Sequence, residues 1–373
     1  MPIHIRCRSV VWYRLAQNPR ASAADLKFLQ HRGKLVESRE AKLKHQSSPT
    51  MTKVTVTAPA RLHLGFLDLN GGLGRKFGSI GLAISSPRTR LTIGFARRGE
   101  IVGPESERMR SHFDTLQRSL GLDGSYRIEV GEAIPAHAGL GSGTQLALAL
   151  AAAVRRLHGL PLDARGDAVR LRRGARSGVG IGLFEQGGLV VDGGHGASGG
   201  PAPIVSRIPF PEHWRVLIVL DPARQGLHGT QEGEAFAGLP PMPELAAAKL
   251  CRLALMKLLP ALVERDLPGF GAAVKDMQQL LGDHFAPMQG GSRFTSPQVG
   301  ACLQALDRAG AYGVGQSSWG PTGFAFAASP GEADRLAMTA RRYADNAGLD
   351  IRICTGLNEG ADISARMTAD APL

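Results

Sequence analysis

The sequence predicts an α+β protein of two lobes, and three observations predict it. From residue 51 onward, short β-rich runs alternate with helical ones. A polar, proline-containing stretch near 206–213 separates two such series, giving lobes over 51–210 and 211–360. The later series reads as an open sheet with helices on one side. No internal repeat and no coiled-coil heptad competes with this reading.

The elements follow in order. Strands are expected at 52–57, 80–85, 91–95 and 126–130, where β-branched and apolar residues cluster. Residues 107–120 carry helical spacing, and the apolar run from about 144 to 158 is a long helix. A further helix at 163–173 precedes the glycine-rich stretch 177–196. The strand 214–220 opens the second lobe and leads into the loop DPARQGLHG at 221–229. Helices are expected at 244–264, 269–281 and 296–309. Strands at 323–327 and 350–354 flank a helix at 330–346, and residues 361–373 are read as a tail.

Composition narrows the class. The 373 residues are 43% hydrophobic and 20% charged, enough to bury a sizeable core and too apolar for global disorder. The formal net charge of +12 is uneven, because residues 1–50 hold ten Lys/Arg against three Asp/Glu. That segment is expected to be a basic N-terminal extension outside the fold, with at most a short helix over 21–43. Arg14 interrupts any apolar signal region. A basic arm raises the alternative of a nucleic-acid binder, but no interleaved aromatics or RNA-binding signature accompanies it. Cys7, Cys251, Cys302 and Cys354 lack zinc-ligand spacing and a disulfide framework, as suits a reducing cytoplasm. The run LALALAAAV falls far short of the ~20 residues that span a bilayer, so no membrane partner is expected.

Three segments could carry chemistry. Gly139-Leu-Gly141-Ser142-Gly143-Thr144 lies between a strand candidate and the long helix. Helix N-termini present unpaired N–H groups and a positive dipole end, so this turn is a candidate anion cradle. It lacks the GK[ST] of a Walker loop and the ribose-binding acid of a dinucleotide fold. The plain alternative is a turn capped by Ser142. Upstream, strand alternation puts Arg61, His63 and Gly65 on one face and Leu62, Leu64 and Phe66 on the other. Arg75 and Lys76 follow in a glycine-rich setting. Near the C-terminus, GVGQSSWGPTGFAF places Ser317, Ser318 and Trp319 in a tight turn.

In this order and spacing the segments resemble the GHMP small-molecule kinase superfamily. Its second motif, P-x-x-x-G-L-G-S-[SG], is met by Pro135, Gly139, Leu140, Gly141, Ser142 and Gly143. One position departs: the kinases carry a catalytic aspartate where this chain has Gly180, which accepts no proton. Longer stretches resemble the β-ribofuranosylaminobenzene 5′-phosphate synthase family, a branch that is not a kinase. They are RLHLGFLDLNGGLGRKFGSIGLAI, AGLGSGTQLALA, SGVGIGLFEQGGLVVDGG, DPARQGLHGTQEGEAF and SSWGPTGFAF, within residues 51–356.

The resemblance implies a two-lobed GHMP kinase-like fold, with a ribosomal-protein-S5-like N-terminal lobe and a ferredoxin-like C-terminal lobe. It implies a decarboxylating phosphoribosyltransferase acting in tetrahydromethanopterin biosynthesis. The substrates would be 5-phosphoribosyl-1-diphosphate and 4-aminobenzoate or 4-hydroxybenzoate; the products an aryl C-riboside 5′-phosphate, CO2 and diphosphate. Mg²⁺ and a homodimer are implied with it. Gly139, Gly141, Ser142, Gly143 and Thr144 would cradle the diphosphate, with Arg61, His63, Gln186, Arg224, Ser317 and Ser318 also binding substrate. Arg75 and Lys76 would meet phosphate or carboxylate, and His228 with Glu232 would handle a proton at the para substituent. Asp68 and Asp192 would hold Mg²⁺, with Glu185, Asp221 and Glu232 in the same family-like segments. Arg176 and His137 are further candidates. The nearest alternative is an ATP-dependent GHMP small-molecule kinase.

Overall fold

The computed structural model describes residues 50–197 and 199–368. The basic extension, apart from Thr50, and the helix expected over 21–43 lie outside the described residues. Strands β1 (Thr50–Asp68) and β2 (Phe77–Phe95) each run 19 residues and pair antiparallel, with Val56 opposite Leu91 and Leu62 opposite Leu82. The strand expected at 52–57 therefore continues through the Arg61 motif, and those expected at 80–85 and 91–95 are one. Register shifts at Pro59/Ala60 and His63/Gly65 let the long strand accommodate its proline and glycine.

The first lobe continues with β3 (Glu100–Val102), α1 (Ser106–Leu120), β4 (Tyr126–Glu132) and α2 (Ser142–Leu157). It closes with α3 (Ala164–Arg170), α4 (Val179–Gln186), β5 (Leu189–Asp192) and β6 (Ile204–Ile208). Helix α2 is buried almost all round, from Gln145 through Val154. A buried ion pair, Arg155 Nε to Asp167 Oδ2 at 2.5 Å, joins it to α3, whose N-cap Asp163 accepts from Gly166 N–H.

The second lobe comprises β7 (Arg215–Leu220), α5 (Gly229–Gly238), α6 (Glu244–Leu253), α7 (Leu259–Glu264), α8 (Leu267–Phe285), α9 (Pro297–Arg308), β8 (Tyr312–Gln316), β9 (Gly323–Ala327), α10 (Pro330–Ala347) and β10 (Asp350–Cys354). The helix expected over 244–264 is interrupted by a π-helical segment, Ala254–Leu258, between α6 and α7. The last described strand, β11 (Asp362–Thr368), corrects the reading of that segment as tail: it pairs with β1 at the edge of the first sheet.

The first sheet runs β11-β1-β2-β4-β3, with β5 and β6 added through β2; the second runs β10-β7-β9-β8. The second sheet is covered on both faces, not one. Leu217 and Val219 pack with Leu303 and Leu336, from α9 and α10. Val216 and Ile218 turn to Trp214, Phe270 and Phe326, with α8. The unbroken run RVLIVL is what such a two-sided burial requires. Leu62, Leu64, Ile80 and Leu82 share that last core, so one apolar interior joins the two sheets. Among the described residues no helix is long and apolar enough to cross a membrane, and Cys251, Cys302 and Cys354 are free thiols.

Candidate active site

The site is built from the turn into α2. Gly139 and Gly141 have φ of 78° and 76°, the left-handed region that favours glycine. A Cβ on Gly139 would lie 2.3 Å from the Ser317 carbonyl oxygen, and one on Gly141 would lie 3.2 Å from Arg61 Cβ. Gly141 is the N-cap and no side chain caps the helix, so Ser142 stands in the first turn and the Ser142-capped alternative is not what forms. Ser317 Oγ donates to Gly139 O at 2.7 Å and accepts from His63 N–H at 3.0 Å. Arg61 N–H donates to Leu140 O at 3.0 Å, and its Nη2 to Gly139 O at 3.3 Å. Strand β1, the glycine turn and the turn at 317–322 are thereby tied together.

Arginines surround this helix end. Arg173 Nη1 stands 3.1 Å from where a Cβ on Gly143 would sit, and its Nη2 lies 3.3 Å from His112 Nε2. Arg108 pairs with Glu105 at 3.2 Å and donates to His137 Nε2 at 3.2 Å. Arg176 pairs with Glu232 at 2.6 Å. The Nε atoms of Arg61 and Arg173 are buried with no hydrogen-bond partner. Such donors are costly unless something accepts from them. Burial brings Arg61 down to about 10 against the opposing pull of Glu232, and burial followed by Arg108 lowers Arg173. An anion at the turn would reverse both shifts.

The neutral groups fit this charge pattern. Burial, then Arg173 and Arg108, holds His112 at about 4, so its Nε2 accepts from Arg173. His63 is buried and pushed well below the usual imidazole range, by burial first and Arg61 second. Its Nε2 has no partner, and the residue lines a cavity of about 20 Å³ with Gln278, Gln316 and Ser318, room for one water. Glu232 is raised by burial, while Arg176, Arg61 and His228 oppose the shift. Beside it, the Arg176 guanidinium lies 5.5 Å from the Phe236 ring centre. Phe236 in turn meets Phe66, Phe77, Phe285 and Trp319 edge-on, forming an apolar wall.

Other expected residues sit elsewhere. Arg75 and Lys76 are exposed, and Arg75 donates to the Gly193 and Gly194 carbonyls at 2.6 Å each, so its guanidinium holds a loop. Lys76 bridges to His195 through the backbone. Arg224 is half-exposed beside Asp221 at 3.9 Å. Gln186 is exposed at the far end of α4 from Gly180; Gln145, which sequence reasoning missed, donates to Gly180 O at 2.8 Å.

Asp68 and Asp192, the carboxylates expected to hold Mg²⁺, each accept local hydrogen bonds. Asp68 accepts from the N–H groups of Asn70 and Gly71, and Asp192 from those of Gly178 and Gly194 and from Ser177 Oγ. Glu185 is exposed and Asp221 accepts from Ser296. Among the described residues no three His, Cys, Asp or Glu side chains converge as a metal site. Sequence reasoning also missed Arg108, His112 and Arg173. Arg173 was expected only as the end of the helix at 163–173, and nothing in the sequence placed it beside the glycine turn.

The chain matches the GHMP kinases N terminal domain over residues 108–186 and the GHMP kinases C terminal model over 258–345. It is 33% identical over 320 residues to the β-ribofuranosylphenol 5′-phosphate synthase of Archaeoglobus fulgidus, covering 82% of this chain and 97% of that protein. The chain belongs to the β-ribofuranosylphenol 5′-phosphate synthase family. The synthase of Methanothermobacter thermautotrophicus is likewise 33% identical, over 72% of this chain and 87% of its own. Two solved structures show that the family shares the expected GHMP kinase fold. Homoserine kinase from Cytophaga hutchinsonii superposes with a TM-score of 0.61 at 18% identity, over 85% of this chain and 99% of that one. Mevalonate diphosphate decarboxylase from Staphylococcus aureus gives 0.59 at 15%, over 84% and 98%. Where the kinases carry the aspartate, this chain has Gly180, packed closely on Thr144: a Cβ there would lie 3.1 Å from Thr144 Cγ2.

Proposed function

We propose that this member of the β-ribofuranosylphenol 5′-phosphate synthase family joins 5-phosphoribosyl-1-diphosphate to a para-substituted benzoate with loss of diphosphate and CO2. One observation carries the proposal: two buried arginine Nε donors without partners, Arg61 and Arg173, at a glycine-forced helix N-terminus. Together they supply donors and positive charge where negative charge grows on a departing diphosphate. The C1–O bond breaks toward that site, leaving an electron-poor C1. The ring carbon that bears the carboxylate attacks C1, and loss of CO2 restores the aromatic ring. Arg176 beside the Phe236 wall suits the benzoate: a cation for the carboxylate and an apolar face for the ring.

The phenol in the relatives' name favours 4-hydroxybenzoate over 4-aminobenzoate. Mg²⁺ enters the proposal with the diphosphate substrate, whose phosphate oxygens supply hard ligands. A homodimer is part of the proposal, and exposed Leu245, Leu255, Met256 and Val263 on one helical stretch offer it a face. Sedimentation of the purified chain distinguishes dimer from monomer. For the reaction, both benzoates are assayed side by side with phosphoribosyl diphosphate. Ser142→Ala and Arg173→Ala are each expected to lower turnover more than tenfold at fixed substrate; wild-type rates in both would remove the diphosphate from this site.

A further inference from the structure

Two histidines are built into the site in a way that fixes the protons on both. His228 is the extended N-cap of α5, and its Nδ1 lies 3.1 Å from the Gly226 carbonyl oxygen. A carbonyl only accepts, so Nδ1 carries the hydrogen and Nε2 of the neutral ring keeps its lone pair. His137 stacks on this ring at 3.5 Å between centres and 25° between planes. Its own Nε2 faces Arg108 Nη2, which only donates, so that nitrogen is the acceptor.

The backbone reinforces the pair. His137 has φ of 56°, a left-handed conformation uncommon for a non-glycine residue, and its carbonyl accepts the Gly226 N–H at 2.8 Å. Gly226 is fixed in turn, since a Cβ there would lie 2.2 Å from the Gly320 carbonyl oxygen. One residue thus links both histidines to the turn that holds Gly139.

We propose that His228 Nε2 accepts the proton of the aryl substrate's para-hydroxyl, with His137 and Arg108 as positioning residues that keep His228 in its Nδ1–H form. The inference rests on the function proposed above and adds the group that activates the nucleophile. Taking the phenolic proton sends an electron pair toward the ring carbon that bears the carboxylate. That pair forms the C–C bond to C1 as the C1–O bond breaks and diphosphate leaves. The bond to CO2 then breaks, its electron pair restores the aromatic ring as a phenolate, and His228 returns the proton. No oxidant or net proton is needed. The amine of 4-aminobenzoate donates its lone pair without first losing a proton, so it depends less on this base.

The groups around the pair fit the role. Burial first, then His228 and Arg108, disfavours charge on His137, which suits it to a positioning role. Glu232, one helical turn along α5, interacts favourably with that charge, and Arg176 and Arg61 balance Glu232 on its other sides.

The test compares both benzoates across pH 5.5–9 with wild type, His228→Gln and His137→Phe. His228→Gln is expected to lower kcat on 4-hydroxybenzoate at least tenfold more than on 4-aminobenzoate. The deficit should shrink as pH rises toward the phenol's own ionisation, near ~10 for a simple phenol. His137→Phe keeps a stacking ring but removes the acceptor for Arg108, and is expected to move the acid limb of the 4-hydroxybenzoate profile. Equal losses on the two benzoates, or none, would overturn the inference. Wild-type protein that turns over neither benzoate would instead refute the proposed function. Residual turnover of 4-aminobenzoate reports that the variants are folded.

Discussion

Arg173 shows at the residue scale how burial sets a side chain's task. Its guanidinium is drawn toward Gly143 and His112, its Nε finds no partner, and nearby Arg108 makes its charge less favourable still. An anionic substrate relieves all three, so the loss from Arg173→Ala should fall mainly on the KM for phosphoribosyl diphosphate. Lysine at 173 is expected to recover only part of it, because one ammonium cannot reproduce the planar donor fork. His112 carries a pH consequence. Its imidazole ionises near 6.5 when unfolded and at about 4 when folded, so between those values the unfolded chain binds more protons. Its contribution to stability is present above about 6.5 and is lost as pH falls toward 4. Thermal melts over that range should fall less steeply with acid for His112→Gln than for wild type. Arg61 was legible in the sequence because strand alternation singles it out. Arg108 and Arg173 were not, because only the folded chain brings α1 and the segment after α3 to the glycine turn.

At the scale of elements, the entry to α2 is the feature that sequence and structure describe most alike. Its glycines were legible as an anion cradle, and the structure adds why glycine is required there. Gly139→Ala combines a left-handed alanine, about 1–2 kcal/mol, with a Cβ driven into the Ser317 carbonyl. A lowered Tm together with lost turnover is expected; a stable, active Gly139→Ala protein would refute the close approach. Helix α4 was less legible, because the glycines of SGVGIGLFEQGG mask its helical spacing. They are packing positions: a Cβ on Gly182 would lie 2.7 Å from Ile204 Cδ1. Gly180 faces Thr144 in the same way, so Gly180→Asp is expected to create no ATP-dependent kinase, as measured by ATP consumption with candidate alcohols. Strands β1 and β2 were read in pieces because Pro59 and Pro87 resemble breaks. Bulged register between two long partners carries the chain through them.

For the whole molecule, the +12 charge divides unevenly along the chain. The excess concentrated in residues 1–50 invites a nucleic-acid partner, whereas the arginines of the site gather around one helix N-terminus at the junction of the two lobes. Protein beginning at Met51 is therefore expected to keep the catalytic activity of the full chain, judged by kcat/KM at matched salt. The presence of two series of strands and helices was legible from the alternation of elements. The shared core was not, since it depends on alternate residues of β7 facing opposite ways. If the proposed function holds, one active site couples diphosphate release to decarboxylation. The most direct measurement follows carboxyl-labelled 4-hydroxybenzoate with phosphoribosyl diphosphate, quantifying CO2 and diphosphate in the same reaction. The expected result is one CO2 per diphosphate, neither appearing when either substrate is omitted and with no requirement for ATP. Diphosphate release without CO2, or turnover that depends on ATP, would contradict it.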